Sequence, residues 1–514
     1  MQRDDPAPGR VLICGAGPTG LVTAIKLARA GVAVDIVDRR IEPSPLSKAA
    51  AVWRRTLEVL HGDVPVDRFL ERGRILHGVR IGLRDRLLRQ IDFGGRSGRF
   101  PTGLLIPQAE TESLLIEALS SLGIEIRRGV ELTGFVAESG GVRVDLRTAD
   151  AEEAVEYDWL IGADGARSAV RHGLGVRFPG STVAHRWLLG DLDFEEPGDE
   201  DWMSLYFADD GLAAMFPYGG GRWRLVADGG PVASEVEPRD PDLAEIESVL
   251  RERTGVESRI VGTTWLAEFR INERIVDSYR HGRVLLVGDA AHIHSPLGGQ
   301  GMNTCIQDAV NLAWKLALVV RGEADETLLD TYEAERRPVG AAVVKITTRA
   351  LDLAMSRNLL ARLLQRHVMP SLLGLRFLQR RVVRLLSEIA IDYRRGPLAR
   401  TAGDRWAGRR LPDLPSRAGG CSVYDEIDDR GFTILAFGEK AFTPEGGWGE
   451  AIRAAGPQVT VVRVAKDAVG DSPLRAGWSL AEGGIAVVRP DSYLGPVTTD
   501  AARVAAWFRA MKTR

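Results

Sequence analysis

An apolar run at residues 11–14 ends in Gly15-Ala16-Gly17-Pro18-Thr19-Gly20, after which Leu21, Ala24, Ile25, Leu27 and Ala28 recur at helical spacing. A second apolar run over residues 32–37 stops at Asp38. Strand, glycine turn, helix and strand in that order form a parallel crossover unit, which few folds accommodate. Each glycine has its own duty: the first makes the tight turn, the second lets backbone approach a pyrophosphate, and the third lets helix and strand pack closely. The helix then offers free N–H groups and a positive dipole end to phosphates. Asp38 follows Gly20 by eighteen residues, at the end of the next strand, where a carboxylate accepts hydrogen bonds from an adenosine ribose.

Two later segments repeat an apolar run that ends in an acid beside glycine. They are Trp159-Leu160-Ile161-Gly162-Ala163-Asp164-Gly165 and Val284-Leu285-Leu286-Val287-Gly288-Asp289. Both read as buried parallel strands that deliver an aspartate at their carboxyl ends. The first continues as D-G-x-x-S-x-x-R through Arg171. The second continues through Ala290, Ala291 and His292 to Pro296-Leu297-Gly298-Gly299-Gln300-Gly301-Met302-Asn303, which opens another helix. Glycine makes up 57 of 514 residues, above the usual share of about 7%, and it concentrates in these turns.

Residues 176–274 change character to short alternating segments, read as an antiparallel sheet interrupted by one helix over 242–253. Helical periodicity dominates residues 302–395. Within it, residues 358–391 carry Arg362, Arg366, Arg376, Arg380, Arg381 and Arg384 among leucines. Such a stretch suits either a membrane-surface helix or a long packing helix with a solvated arginine face, and the second reading is the more economical. Gly396-Pro397 and the polar residues 400–420 form a linker to a last unit. There strands at 432–437, 459–464 and 485–489 and helices at 448–455 and 501–510 outline a small α/β domain.

The length suggests about three units. A 45% hydrophobic share with 27% charged residues describes a globular chain, and a net charge of -3 gives no field favouring nucleic acid or an anionic membrane. Cys14, Cys305 and Cys421 are too few and too scattered for a disulfide framework or a thiolate metal cluster. The polar N-terminus has no apolar signal core, so a cytoplasmic location is expected.

Taken together, the first glycine motif, the D-G motif and the G-D motif resemble, in order and spacing, the class A FAD-dependent aromatic monooxygenases typified by para-hydroxybenzoate hydroxylase. The segments 47–60, with Arg55-Thr56-Leu57-Glu58, Ile106-Pro107-Gln108 with Glu112, and Gly282-Arg283-Val284 are similar to the aromatic polyketide hydroxylase branch. The resemblance implies an α/β fold: a Rossmann-like FAD-binding domain of that type, an inserted substrate-binding β-sheet domain and a C-terminal thioredoxin-like domain. The corresponding spans are 1–175 and 275–396 for the FAD domain with its long helices, 176–274 for the sheet, and 397–514 for the last unit. No C-x-x-C occurs in that unit, so it is expected to be structural.

The resemblance also implies roles. Gly15, Gly17, Pro18, Thr19 and Gly20 would cradle the FAD pyrophosphate, and Asp38 with Arg39 would meet the adenosine. Gln108 would contact FAD near the ribityl or pyrophosphate, and Asp289 a ribityl hydroxyl. Pro296, Gly299, Gly301, Met302 and Asn303 would surround the flavin, with backbone N–H groups toward the pyrimidine edge, where charge accumulates on reduction. Asp164 and Arg171 would fix the loop between FAD and a transient nicotinamide. Lys48 stands where the family usually has arginine, keeping the charge but losing the planar fork.

The implied reaction is reduction of FAD by NADPH or NADH, formation of a flavin C4a-hydroperoxide with O2, and oxygen transfer to a polycyclic aromatic phenol. No second G-x-G-x-x-G appears, in keeping with a nicotinamide that visits and leaves. No catalytic acid or base is assigned. His292 and His294 are either bases or organisers of the FAD loop. Arg222 and Arg224 alternate with Trp223, and their face is read as solvated in preference to substrate-facing. Phe216, Pro217, Trp265, Phe269 and Pro296 could line a pocket for a flat polycycle or be ordinary packing. The alternatives are antibiotic inactivation, Baeyer-Villiger insertion, and a non-catalytic FAD-binding partner of another hydroxylase. A halogenase is disfavoured by the missing W-x-W-x-I-P. The expected partners are an aromatic small molecule and O2, with no nucleic acid or membrane, and a homodimer by analogy.

Overall fold

The computed structural model describes residues 9–44, 47–84, 86–208, 211–233, 236–356, 358, 368–415, 422–437, 448–456, 458–464 and 484–512. A six-stranded sheet lies at its centre, in the order Ile126–Arg128, Ala33–Asp38, Arg10–Cys14, Trp159–Gly162, Val284–Leu286 and Arg280–His281. Every pairing is parallel except the last. The inner strands are apolar on both faces, as a sheet covered on both sides requires: Val11, Leu12, Ile13, Leu160, Ile161, Val284, Leu285 and Leu286 are all inaccessible to water. From Arg10–Cys14 the chain crosses through helix Pro18–Arg29 to one side, while Trp159–Gly162 lies on the other. The order therefore reverses at the first strand, and a crevice opens there at the carboxyl ends.

Above this sheet stands an eight-stranded one, ordered His292–Ile293, Ile260–Ile275, Gly180–Phe194, Arg222–Pro231, Gly211–Gly219, Trp202–Ala208, Gly78–Leu83 and Arg86–Asp92. It is wider than the segment 176–274. Two strands at 78–92 join it, and the pairing of Trp202–Ala208 with Gly78–Leu83 is parallel, which departs from the all-antiparallel expectation. One face is covered by helix Leu243–Thr254, against which Leu188, Leu192, Met215, Trp223 and Leu225 pack.

Helices Gly301–Val320 and Asp330–Met355 follow. The expected long helix over 358–391 does not run unbroken: helix Arg376–Leu386 starts afresh after Leu375 in extended conformation. Arg376, Arg380, Arg381 and Arg384 are exposed on it; Arg362 and Arg366 lie outside the described residues. No helix among the described residues is long and apolar enough to cross a membrane.

The last unit has a four-stranded sheet ordered Val459–Val464, Phe432–Phe437, Ile485–Val488 and Leu494–Thr498, packed on helices Trp448–Ala455 and Ala501–Lys512. The final strand was not anticipated. Its Gly495-Pro496 pair falls inside the element and breaks the strand signal in the sequence.

Candidate cofactor and substrate site

Three glycine turns converge at the carboxyl ends of the central strands, and contacts between them leave little choice of residue. A Cβ on Gly15, at φ +105°, would lie 2.5 Å from the Ala163 carbonyl oxygen and 2.8 Å from Asp164 Cα. The first turn thus rests on the D-G turn. A Cβ on Gly288 would meet Thr19 Oγ1 at 2.8 Å and Cys305 at 3.0 Å, so the G-D turn rests on the first. Gly20 could carry no side chain, because its Cβ would fall 1.9 Å from the Gly15 oxygen. By contrast Gly17, Gly165 and Gly301 face open space, with no atom within 4 Å of an added Cβ. Three places where the backbone faces open space suit close approach of a long, phosphate-bearing ligand.

Asp38 is oriented before any ligand arrives. Its carboxylate accepts from Ala16 N at 2.9 Å and from Arg40 N at 2.9 Å, and the Arg40 guanidinium braces it at 3.2 Å. Although burial opposes it, these donors hold the carboxyl below its ordinary value, so it is an acceptor at neutral pH. Arg39 is exposed and lines an open cavity of about 460 Å³ beside it, together with Arg40, Gly129 and Arg147. Asp164 is pushed up by burial, and its Oδ1 is buried with no hydrogen-bond partner among the described residues. Arg171 holds the two later motifs together by donating to Ala290 O at 3.1 Å and Ala166 O at 2.8 Å. Asp289 is exposed at the turn and accepts from the Cys305 thiol, at 3.4 Å.

Other expected residues are committed to the protein. Gln108 accepts from Ala49 N at 3.1 Å and donates to Glu112 at 2.7 Å, clamping the loop that carries the exposed Lys48. The Asn303 side chain is bonded at both ends: Oδ1 accepts from Trp53 N at 2.8 Å, and Nδ2 donates to Ala51 O and Gly299 O at 2.9 and 2.8 Å. Trp53 Nε1 in turn donates to Gly298 O and Gly299 O. Pro296 is exposed and Met302 half-buried at this turn. Trp53 was missed by sequence reasoning, since only its partners, about 250 residues away, mark it out.

On the face of the large sheet opposite helix Leu243–Thr254, Trp265, Asp191, Arg224 and Phe216 stand side by side on four adjacent strands. Arg224 is not solvated. It is 1% exposed, grips Asp191 with two bonds of 2.8 and 2.7 Å, reaches Ala49 O at 3.4 Å and lies between Tyr218 and Trp265. Phe216 and Tyr218 pack with Trp53, Met203, Val383 and Leu386, which turns this face toward the glycine turns. Pro217 points the other way, opposite Trp223 in the helix-covered layer. Phe269 lies farther along, opposite Trp187.

Neither histidine is set up as a base. His292 is wholly buried and bonded to Asp308 at 2.7 Å, which also holds Arg336. His294 bonds the Ser295 carbonyl through Nδ1, so Nε2 carries the lone pair, and burial pushes the ring down to about 4. A base that weak gains few protons at neutral pH.

The match to known proteins follows this geometry. Residues 9–347 match the family model described as "FAD binding domain". A 6-methylpretetramide 4-monooxygenase of Streptomyces rimosus is 36% identical over 94% of this chain and 90% of its own length. A rifampicin monooxygenase of Streptomyces venezuelae is 36% identical over 82% and 85%. The structure of an anhydrotetracycline hydroxylase from Streptomyces rimosus superposes with a TM-score of 0.77 at 31% identity, covering 95% of both chains. By its sequence and its fold, this chain belongs to the FAD-dependent aromatic monooxygenases.

Proposed function

We propose that the chain is an FAD-dependent, NAD(P)H-consuming monooxygenase that hydroxylates a polycyclic aromatic phenol of polyketide type. The observation that carries this is that Trp53 packs in one cluster with Phe216 of the sheet face and donates to the carbonyls of Gly298 and Gly299, while the backbone at Gly17, Gly165 and Gly301 faces open space. Bound FAD would take a hydride from NAD(P)H and activate O2, so that one oxygen atom enters the ring and the other leaves as water. The protein's part is to bind, orient and keep water out. Gly15, Gly17, Gly20 and the start of helix Pro18–Arg29 would hold the pyrophosphate, Asp38 the adenosine ribose, and Asp164 and Asp289 the middle of the cofactor. The turn Gly298–Asn303 would present backbone donors to the flavin, kept in place by the Asn303 and Trp53 clamps. Phe216 and Trp265 would flank a flat substrate, with Arg224 held by Asp191 as a fixed positive group at its edge.

The domain spans read from sequence are kept as proposals, with residues 78–92 added to the substrate sheet. The order of the last sheet, one parallel pair followed by two antiparallel neighbours, supports a thioredoxin-like unit; Cys421 lies outside the described residues. The rifampicin monooxygenase among the relatives favours a second reading, in which the aromatic accepted is a finished antibiotic.

The test is NAD(P)H oxidation by the purified yellow protein across a panel of tetracyclic phenols and finished aromatic antibiotics. Oxidation accelerated by a member of the first group supports the proposal, and acceleration only by the second supports the other reading. Bound flavin with no acceleration by any compound contradicts both.

A further inference from the structure

Glu388 is an unusual residue for its backbone. It stands just beyond Ser387, the C-cap of helix Arg376–Leu386, at φ +59°. That left-handed position closes many helices, and glycine or asparagine normally fills it because a larger side chain is strained there. The Glu388 N–H makes the expected closing bond to Leu385 O at 3.1 Å. What the strained residue adds is a side chain that runs inward: Glu388 is 2% exposed, with Thr304 Oγ1 donating to Oε1 at 2.9 Å and the Gln307 amide on Oε2. Both partners lie in the first two turns of helix Gly301–Val320.

The residues beside Glu388 are tied to the same place. Gln300 Nε2 donates to Leu385 O at 3.1 Å, and Leu386 covers Gly298 closely enough to lie 3.2 Å from an added Cβ. On the far side, Arg55 N donates to Ser387 O at 3.2 Å. Residues 385–388 therefore form a strap over the turn Gly298–Gln300 and the start of its helix.

We propose that Glu388 is a positioning residue, the pin by which the strap 385–388 holds the turn Gly298–Asn303 in the shape that receives the flavin. The inference rests on the FAD reading above. Glu388 has no ion-pair partner among the described residues. Burial pushes its carboxyl up to about 8, and Asp308, on the helix it faces, adds to the rise. Thr304, Arg336 of helix Asp330–Met355 and Gln307 oppose it. At neutral pH the pin is a neutral acid. Gln307 Oε1 is buried without a hydrogen-bond partner among the described residues; with the amide turned about, it accepts the carboxyl O–H. Since the folded value lies above the unfolded one, the contribution is complete at low pH and is lost as pH rises through about 8.

The experiment is FAD titration, followed by flavin fluorescence, of the wild type, Glu388→Gln and Glu388→Gly between about pH 6 and pH 9, with circular dichroism as a check on folding. Glutamine copies the neutral acid, and glycine relieves the backbone while removing the pin. At about pH 6.5 the wild type and E388Q bind FAD alike, and E388G binds at least about ten-fold more weakly. By about pH 9, one unit above the carboxyl, the wild-type Kd rises about ten-fold and that of E388Q stays level. A wild-type affinity flat across the range, an equal alkaline loss in E388Q, or full affinity in E388G overturns the proposal. A wild type that binds no FAD at any pH overturns the FAD reading itself.

Discussion

Gly17 and Gly20 lie three residues apart, and the same kind of substitution should affect them in different ways. Gly17 has ordinary backbone angles and nothing within 4 Å of an added Cβ. Gly17→Val, at the N-cap of helix Pro18–Arg29, should therefore cost only about 1 kcal/mol of unfolding stability, while reducing FAD affinity about 100-fold by blocking the approach of the pyrophosphate. Gly20→Ala should instead destabilise the folded chain by about 3 kcal/mol or more, since its Cβ would overlap the Gly15 carbonyl. Urea unfolding of the apoprotein and FAD titration separate the two effects. These glycines were legible in the sequence because each answers a local backbone demand. Arg224 was not, because its partner Asp191 sits on a neighbouring strand and nothing in the spacing couples them. Arg224→Met leaves Asp191 without its cation and should cost about 3 kcal/mol in urea unfolding; adding Asp191→Leu should recover part of that loss.

At the scale of elements, the parallel strands and the helix after the first glycine turn could be read from apolar runs that end at glycine and acid. The strands at 78–92 could not be placed, since their partner, Trp202–Ala208, is more than a hundred residues away. The turn Gly298–Asn303 likewise gave its backbone role in sequence but not its clamp. Asn303 joins the strand Ala51–Trp53 to the turn with three bonds. Asn303→Asp keeps the acceptor for Trp53 N but sets a carboxylate oxygen against the carbonyls of Ala51 and Gly299. It should cost about 2–3 kcal/mol and weaken FAD binding, whereas Asn303→Ala leaves the same carbonyls unpaired without the added repulsion. Thermal melts with and without FAD order the variants: wild type above alanine, and alanine above aspartate.

Across the whole molecule, the last unit is fastened to the FAD helices by buried charges. Arg489 binds Glu335 through two bonds of 2.8 Å and also binds Asp491, while Lys315 reaches Glu335 at 2.8 Å. Arg489 and Lys315 overcome burial and hold the Glu335 carboxyl down to about 2. Lys315 itself falls to about 8, because burial outweighs its share of a carboxylate that Arg489 already occupies. A depressed Glu335 stabilises the fold above its unfolded value of about 4.3, and that contribution is lost as pH falls toward about 2. Glu335→Gln should therefore cost about 3 kcal/mol near neutral pH, and the gap to wild type in thermal melts should narrow through that acid window. A gap that stays constant would contradict this account. The sequence announced a linker and a separate last unit but not its fastening, because Lys315, Glu335, Arg489 and Asp491 come from three distant segments. The central claim concerns what the assembled crevice does, and isotope labelling tests it most directly. Turnover of an accepted polycyclic phenol with NAD(P)H under oxygen-18 gas should give a product carrying one heavy oxygen atom per molecule. A product with no label, formed while NAD(P)H is consumed, would contradict monooxygenation.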